Sequence, residues 1–255
     1  CIKQIPKCPH QEPPYIQLME KLPKRCFECS TVDEHNAADF LVDNCLIFPE
    51  NVKTITEKTY SQYYQRFFFV FGQGVETIHD FAFQSANCVR KAVFPNLLSL
   101  GSRAFNFCKL LRSFIAPKCN FVGMGAFSFC LSLTTISISP KTLPTFVFQQ
   151  CPFEYLDLPS VEQVDSQALQ NSKVSQLQVV NCKRVHEDAF LNKYQEIQVQ
   201  TASDLTQVKN CTLVGRIVNQ KMQLIQVQKI IEMIQEGKQV GKVIEKKMKG
   251  LRDWQ

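Results

Sequence analysis

A chain of 255 residues, 45% hydrophobic and 20% charged, suits one elongated domain with terminal caps. Its formal charge of +6 is uneven: residues 219–255 hold eight Lys/Arg against four Asp/Glu, leaving 21 against 19, or +2, for residues 1–218. So neutral a body argues against a nucleic-acid groove, which needs a dense basic stripe, and no apolar run approaches the roughly 18 residues of a membrane-spanning helix.

Residues 1–49 read as an irregular or capping unit. The prolines Pro6, Pro9, Pro13 and Pro14 mark a loop or the remnant of a further unit, and Cys1 in place of methionine is compatible with a fragment or a processed form. Cys26-Phe27-Glu28-Cys29, with Cys8 and His10 upstream, carries zinc-ligand residue types, but Cys8-Pro9-His10 lacks the usual half-site spacing. Ser30 to Cys45 breaks the pattern that follows. Thr31-Val32-Asp33-Glu34 resembles a helix start, and Ala37, Ala38, Phe40 and Leu41 have helical spacing, so a short inserted helix is expected there.

Over residues 50–200 a pattern recurs. Its marker pairs are Thr59-Tyr60, Ala82-Phe83, Ala104-Phe105, Ala126-Phe127, Val147-Phe148, Ala168-Leu169 and Ala189-Phe190, in steps of 23, 22, 22, 21, 21 and 21. An apolar residue stands four before each marker, from Ile55 to Val185. Downstream comes an alternating segment, with expected inward pairs Phe69/Phe71, Ala92/Phe94, Phe114/Ala116, Ile136/Ile138, Leu156/Leu158, Leu177/Val179 and Ile197/Val199. Alternation is the signature of a half-buried strand, and fixed-period self-similarity means a solenoid of about seven coils, each burying its apolar face on its neighbours. The second marker residues should form one column of large side chains, which accounts for much of the 20-residue phenylalanine content. Cys108, Cys130 and Cys151 each lie four residues after a marker's first member. Equivalent side chains of stacked coils point the same way, so a ladder of buried thiols is expected rather than a disulfide scaffold. Such a ladder leaves the compartment open.

The order apolar-Gly, Ala-Phe, Cys, Leu, then Ile-x-Ile-Pro resembles the BspA-like leucine-rich repeat. Leu100 to Cys108 and Val122 to Pro140 carry the closest match, with an earlier unit at Leu22 to Phe27. The glycine after the apolar residue survives only at Gly101 and Gly123, and proline replaces the asparagine ladder of ordinary leucine-rich repeats. The resemblance implies an α/β solenoid, a non-catalytic interaction or adhesion role, and a secreted or cell-surface location. An intracellular scaffold, or a regulatory region of a larger protein, is the alternative, and a zinc-binding protein a remote one.

Outward strand positions carry the candidate site. They are apolar and cationic in the first coils and acidic or glutamine-rich later, which singles out Phe68, Val70, Arg90, Lys91, Val93, Arg112 and Ile115, with Tyr155 further along. An apolar cluster rimmed by arginine suits a protein partner; residues 30–45 folded over this face are the competing expectation. His79 and His186 fall at a turn position that also holds Thr56, Gly101, Pro144 and Asp165, as an exposed site would. No nucleophile–base set or phosphate loop is recognisable, and no catalytic residue, metal or cofactor is assigned.

Residues 201–255 read as a C-terminal cap. Leu224, Val227, Ile231 and Ile234, then Val240, Ile244, Met248 and Leu251, have helical period. These basic amphipathic helices would cover the last coil, or contact a partner helix or an anionic membrane surface. Asn210-Cys211-Thr212 fits a glycosylation sequon, which matters only in a secreted chain.

Overall fold

The computed structural model describes residues 15–61, 67–191, 197–201 and, for the backbone, 211–213. A short helix, α1 (Tyr15–Met19), and a 3-10 turn (Lys24–Phe27) precede the coils. The first coil gives β1 (Thr31–Val32), β2 (Leu41–Val42) and β3 (Cys45–Phe48). The next four each give a two-residue strand and a longer one: β4 (Thr54–Ile55) with β5 (Phe69–Gly72), β6 (Thr77–Ile78) with β7 (Lys91–Val93), β8 (Ser99–Leu100) with β9 (Ser113–Ile115), and β10 (Phe121–Val122) with β11 (Thr135–Ser137). Then come β12 (Thr142–Leu143) with β13 (Tyr155–Asp157), β14 (Gln163–Val164) with β15 (Gln176–Gln178), β16 (Arg184–Val185) with β17 (Ile197–Gln200), and finally β18 (Cys211–Leu213).

The short strands stack in parallel on one side of the coil and the longer ones on another, with equivalent residues in register: Ile78 beside Leu100, Phe114 beside Ala92. The result is the leucine-rich-repeat solenoid expected. Between the sides runs the marker segment, whose rings stack face to face: Tyr60 on Phe83 at 5.1 Å, Phe83 on Phe105 at 4.8 Å, Phe105 on Phe127 at 6.1 Å and Phe127 on Phe148 at 5.8 Å. All are fully buried. Each contributes about 1.5–3 kcal/mol by area transfer, so the column is the main apolar axis of the fold.

Two hydrogen-bonded ladders flank it. The thiols of Cys108, Cys130 and Cys151 donate to the carbonyls of Phe83, Phe105 and Phe127, each one coil earlier, at 3.1, 3.2 and 3.1 Å. One residue past the ring, Gln84, Asn106, Ser128, Gln149 and Gln170 form a second ladder. Gln84 donates to the Asn106 carbonyl oxygen at 3.4 Å, Ser128 to Gln149 at 2.7 Å, and Gln149 to Gln170. Its position holds glutamine, asparagine and serine in mixed order, so no single residue type marks the column in the sequence.

Both sheets are interrupted at one level, between β10 and β12 and between β11 and β13. On the short-strand side the reason is Pro144. Its equivalents donate across the stack, as Gly123 N does to the Leu100 carbonyl and Asp165 N to that of Leu143, and proline has no N–H to give. The marker segment bridges the gap: Phe127 N donates to the Val147 carbonyl at 3.1 Å and Phe129 N to that of Gln149 at 2.9 Å.

Residues 31–48 differ from expectation. They form an additional coil that continues both sheets, with only a 3-10 turn at Ala37–Phe40 where an inserted helix was expected. The cause is local. Asp33 accepts from the amides of His35 (2.9 Å) and Asn36 (3.2 Å), while Asn36 accepts from Asp33 N and donates to the Thr31 carbonyl, both at 3.0 Å. These bonds cap the start of the turn, which extends only as far as the 3-10 stretch Ala37–Phe40 before the chain enters β2. Asp43 and Asn44, at φ 47° and 62°, then reverse the chain so that β2 runs antiparallel to β3, as a primed two-residue turn requires. The C-terminal helices expected beyond 213 lie outside the described residues.

Candidate functional site

The outward row of the longer strands reads Ile47, Phe71, Val93, Ile115, Ser137, and its companion row Cys45, Phe69, Lys91, Ser113, Thr135. Val93, Ile115 and Lys91 are half-buried, as outward side chains shielded only by neighbours. Val70 is not part of this face. It is 1% exposed and in register with the inward Ala92, so Phe69 and Phe71 take the outward places at this coil. One additional residue lies between Thr59 and the strand compared with the next coil, which shifts the phase. Gly72 then takes the second inward place, where a Cβ would stand 2.8 Å from the Phe94 ring; the bulk belonging there is supplied by the neighbouring coil.

Phe68 is also buried, at 5% exposure, and stands in line with Arg90 and Arg112, not with Lys91. Arg90 N donates to the Phe68 carbonyl at 2.8 Å, and the Arg90 guanidinium lies 5.7 Å from the Phe68 ring. Phe68 therefore supports the arginine instead of meeting a partner. Arg112 is exposed in the next coil, its N–H on the Arg90 carbonyl at 2.8 Å. Neither arginine has a carboxylate partner among the described residues.

The structure thus brings Arg90, Lys91, Val93, Arg112 and Ile115 onto one sheet and adds Phe71, which sequence reasoning placed inward. Tyr155 lies apart, beyond the sheet interruption. Its hydroxyl donates to Gln178 at 2.7 Å, and burial together with Asp157 raises its pKa to about 12. Asp157 is itself raised by burial.

Residues 30–45 do not cover the face; α1 does, at its first coils. Tyr15 packs on Phe71 with ring centroids 4.1 Å apart, and Ile47, the row's first member, is buried beneath the helix. The Cys26–Cys29 region serves as a joint: Asn51 donates to the carbonyls of Cys26 (3.0 Å) and Cys29 (2.6 Å), tying the cap to the coils. Cys8 and His10 lie outside the described residues, and among the described ones no three His, Cys, Asp or Glu side chains are grouped to hold a metal. No described helix is long and apolar enough to cross a membrane.

Stacked coils of two parallel strands, closed by a ring-filled marker turn, define a leucine-rich-repeat solenoid. The chain belongs to the BspA-type leucine-rich repeat family, whose model matches in six copies over residues 44–151 and 120–236. A leucine-rich cell-surface protein from Faecalibacterium prausnitzii is similar at 16% identity and a TM-score of 0.41, over 60% of this chain and 44% of that one. The pneumococcal vaccine antigen PcpA is similar at 15% identity and a TM-score of 0.46, over 69% of this chain and 41% of that one. The chain therefore spans less than half the length of either. No curated protein matches it.

Proposed function

We propose that this protein is a non-catalytic binding or adhesion module whose longer-strand face takes a protein partner at the third and fourth coils. The observation that supports this is the outward apolar pair Val93 and Ile115, beyond the stretch that α1 covers, flanked by Arg90 and Arg112 without carboxylate partners among the described residues. Arginine beside a central apolar cluster is the composition of an interface hot spot. Tyr155 joins only a partner long enough to reach across the sheet interruption. Affinity capture from cells of the source organism tests the reading, with the intact chain compared against the Val93→Asp/Ile115→Asp double variant. A partner retained by the first and lost by the second is expected. Equal capture by a folded double variant would place binding elsewhere.

A further inference from the structure

Residues 81–153 contain no aspartate or glutamate, and besides Arg90, Lys91 and Arg112 of the strand face they carry the cations Arg103, Lys109, Lys118 and Lys141. Six of the seven large apolar side chains exposed among the described residues fall in the same stretch. Three of these, Phe107, Leu110 and Leu131, lie at the corner turns that follow the marker pairs in two adjacent coils, together with half-buried Phe129. Phe107 and Phe129 stack in parallel at 4.5 Å, and the Lys109 ammonium stands 6.0 Å from the Phe107 ring.

The corner uses a backbone position that recurs from coil to coil. Phe107 and Phe129 sit at φ 59° and 60°, in the left-handed region. Bulky side chains are disfavoured there, and the equivalent residues of other coils are Ser85, Gln150 and Asn171. Nor does burial compensate, since Phe107, Leu110 and Leu131 are 37%, 45% and 47% exposed. Phe81 and Phe146 take the left-handed region as well, at φ 59° and 61°, so what sets this corner apart is its exposed apolar cluster. A turn at the corner of a coil is convex, and apart from Ser132 its outward side chains are apolar or cationic. A convex apolar wedge in an acid-free, cationic stretch matches the boundary of an anionic bilayer, where acyl chains accept the wedge and lipid phosphates meet the cations.

We propose that Phe107, Phe129, Leu110 and Leu131 form a wedge that inserts into an anionic lipid surface, with Lys109 engaging the headgroups. This is a second contact surface, independent of the strand face. The test is cosedimentation of the full chain with vesicles of phosphatidylcholine alone, or with about 30 mol% phosphatidylserine added. The key variant is Phe107→Asn/Phe129→Asn/Leu110→Ser/Leu131→Asn, which installs residue types that other coils already carry at these positions (Asn171, Ser132 and Asn87). Wild type is expected to bind the anionic vesicles selectively. The quadruple variant should lose binding at least about tenfold with no fall in thermal midpoint, and Lys109→Gln about fivefold. Absent or charge-independent binding by wild type overturns the proposal. So does undiminished binding by the quadruple variant, which would assign the lipid contact to the basic 219–255 region. A self-association lost in that variant, with no vesicle binding by wild type, would assign the corner to a second copy of the chain and equally overturn it.

Discussion

The ring of Tyr15 rests on that of Phe71, with centroids 4.1 Å apart and planes at 48°, while its hydroxyl donates to the Phe48 carbonyl at 3.5 Å. Burial, with Glu50 nearby, pushes the phenol's pKa well above its ordinary value. A residue from before the first coil thus occupies the outward face of the second. Tyr15→Ala is expected to cost about 1–2 kcal/mol, the value of a partly buried ring, and to uncover Phe71 and Ile47. A urea midpoint equal to that of wild type would show that α1 does not dock there.

Phe105 touches Phe83, Phe127 and, edge-on at 5.1 Å, Phe114. Replacing it by alanine opens a cavity walled by these rings and that of Phe94, which cannot collapse without unstacking their own coils. The expected loss is about 3–5 kcal/mol by denaturant unfolding. Phe107→Asn, two residues away but outside the column, should lose nothing, and the pair of variants separates column packing from general aromatic content.

Burial raises the pKa values of Cys108, Cys130 and Cys151 well above the ordinary 9.0, and that of Cys119 to about 12. A group with a raised folded-state value binds more protons when folded. Its stabilising effect is complete below pH 9 and is lost as pH rises toward the folded value, so stability falls above pH 9. Each ladder thiol contributes about 1.4 kcal/mol per pH unit to that decline. Urea unfolding at pH 8, 9 and 10 should show a shallower alkaline fall in Cys108→Ala/Cys130→Ala/Cys151→Ala than in wild type. Parallel slopes would mean that the thiols ionise in the folded protein.

Asn44, at φ 62°, closes the β2–β3 hairpin. Glycine should be tolerated there, whereas Asn44→Val is expected to cost about 1–2 kcal/mol because a β-branched side chain resists the left-handed region. Thermal melts of the two variants give the comparison.

The periodic part of this fold was legible because its period is written in large residues. The marker pairs fixed the ring column, and alternation fixed the inward side chains from Ala92 to Val199. Legibility failed where those signals were absent. Phe67 to Phe71 is five apolar residues in a row, so nothing in the run sets the phase, and the 23-residue step hides the additional residue that turns Val70 inward. The first coil was obscured by Thr31 to Glu34, whose residue types match a helix start; Asp33 does cap the chain there, but only a four-residue 3-10 stretch follows. In the proposed binding face, Val93, Ile115, Arg90, Lys91 and Arg112 could be read from strand phase alone. The covering of Phe71 by Tyr15 is a tertiary contact across 56 positions, with no local trace.

The two-residue strand β2 forms one edge of the longer-strand sheet among the described residues. Every later partner in that side of the stack runs parallel, whereas β2 runs the opposite way and occupies the outermost edge beside β3. A strand of a second molecule would meet there an edge only two residues long, with few ladder groups to pair with. So short an edge gives an incoming strand little to hold, which blunts this side of the longer-strand sheet against pairing with another chain.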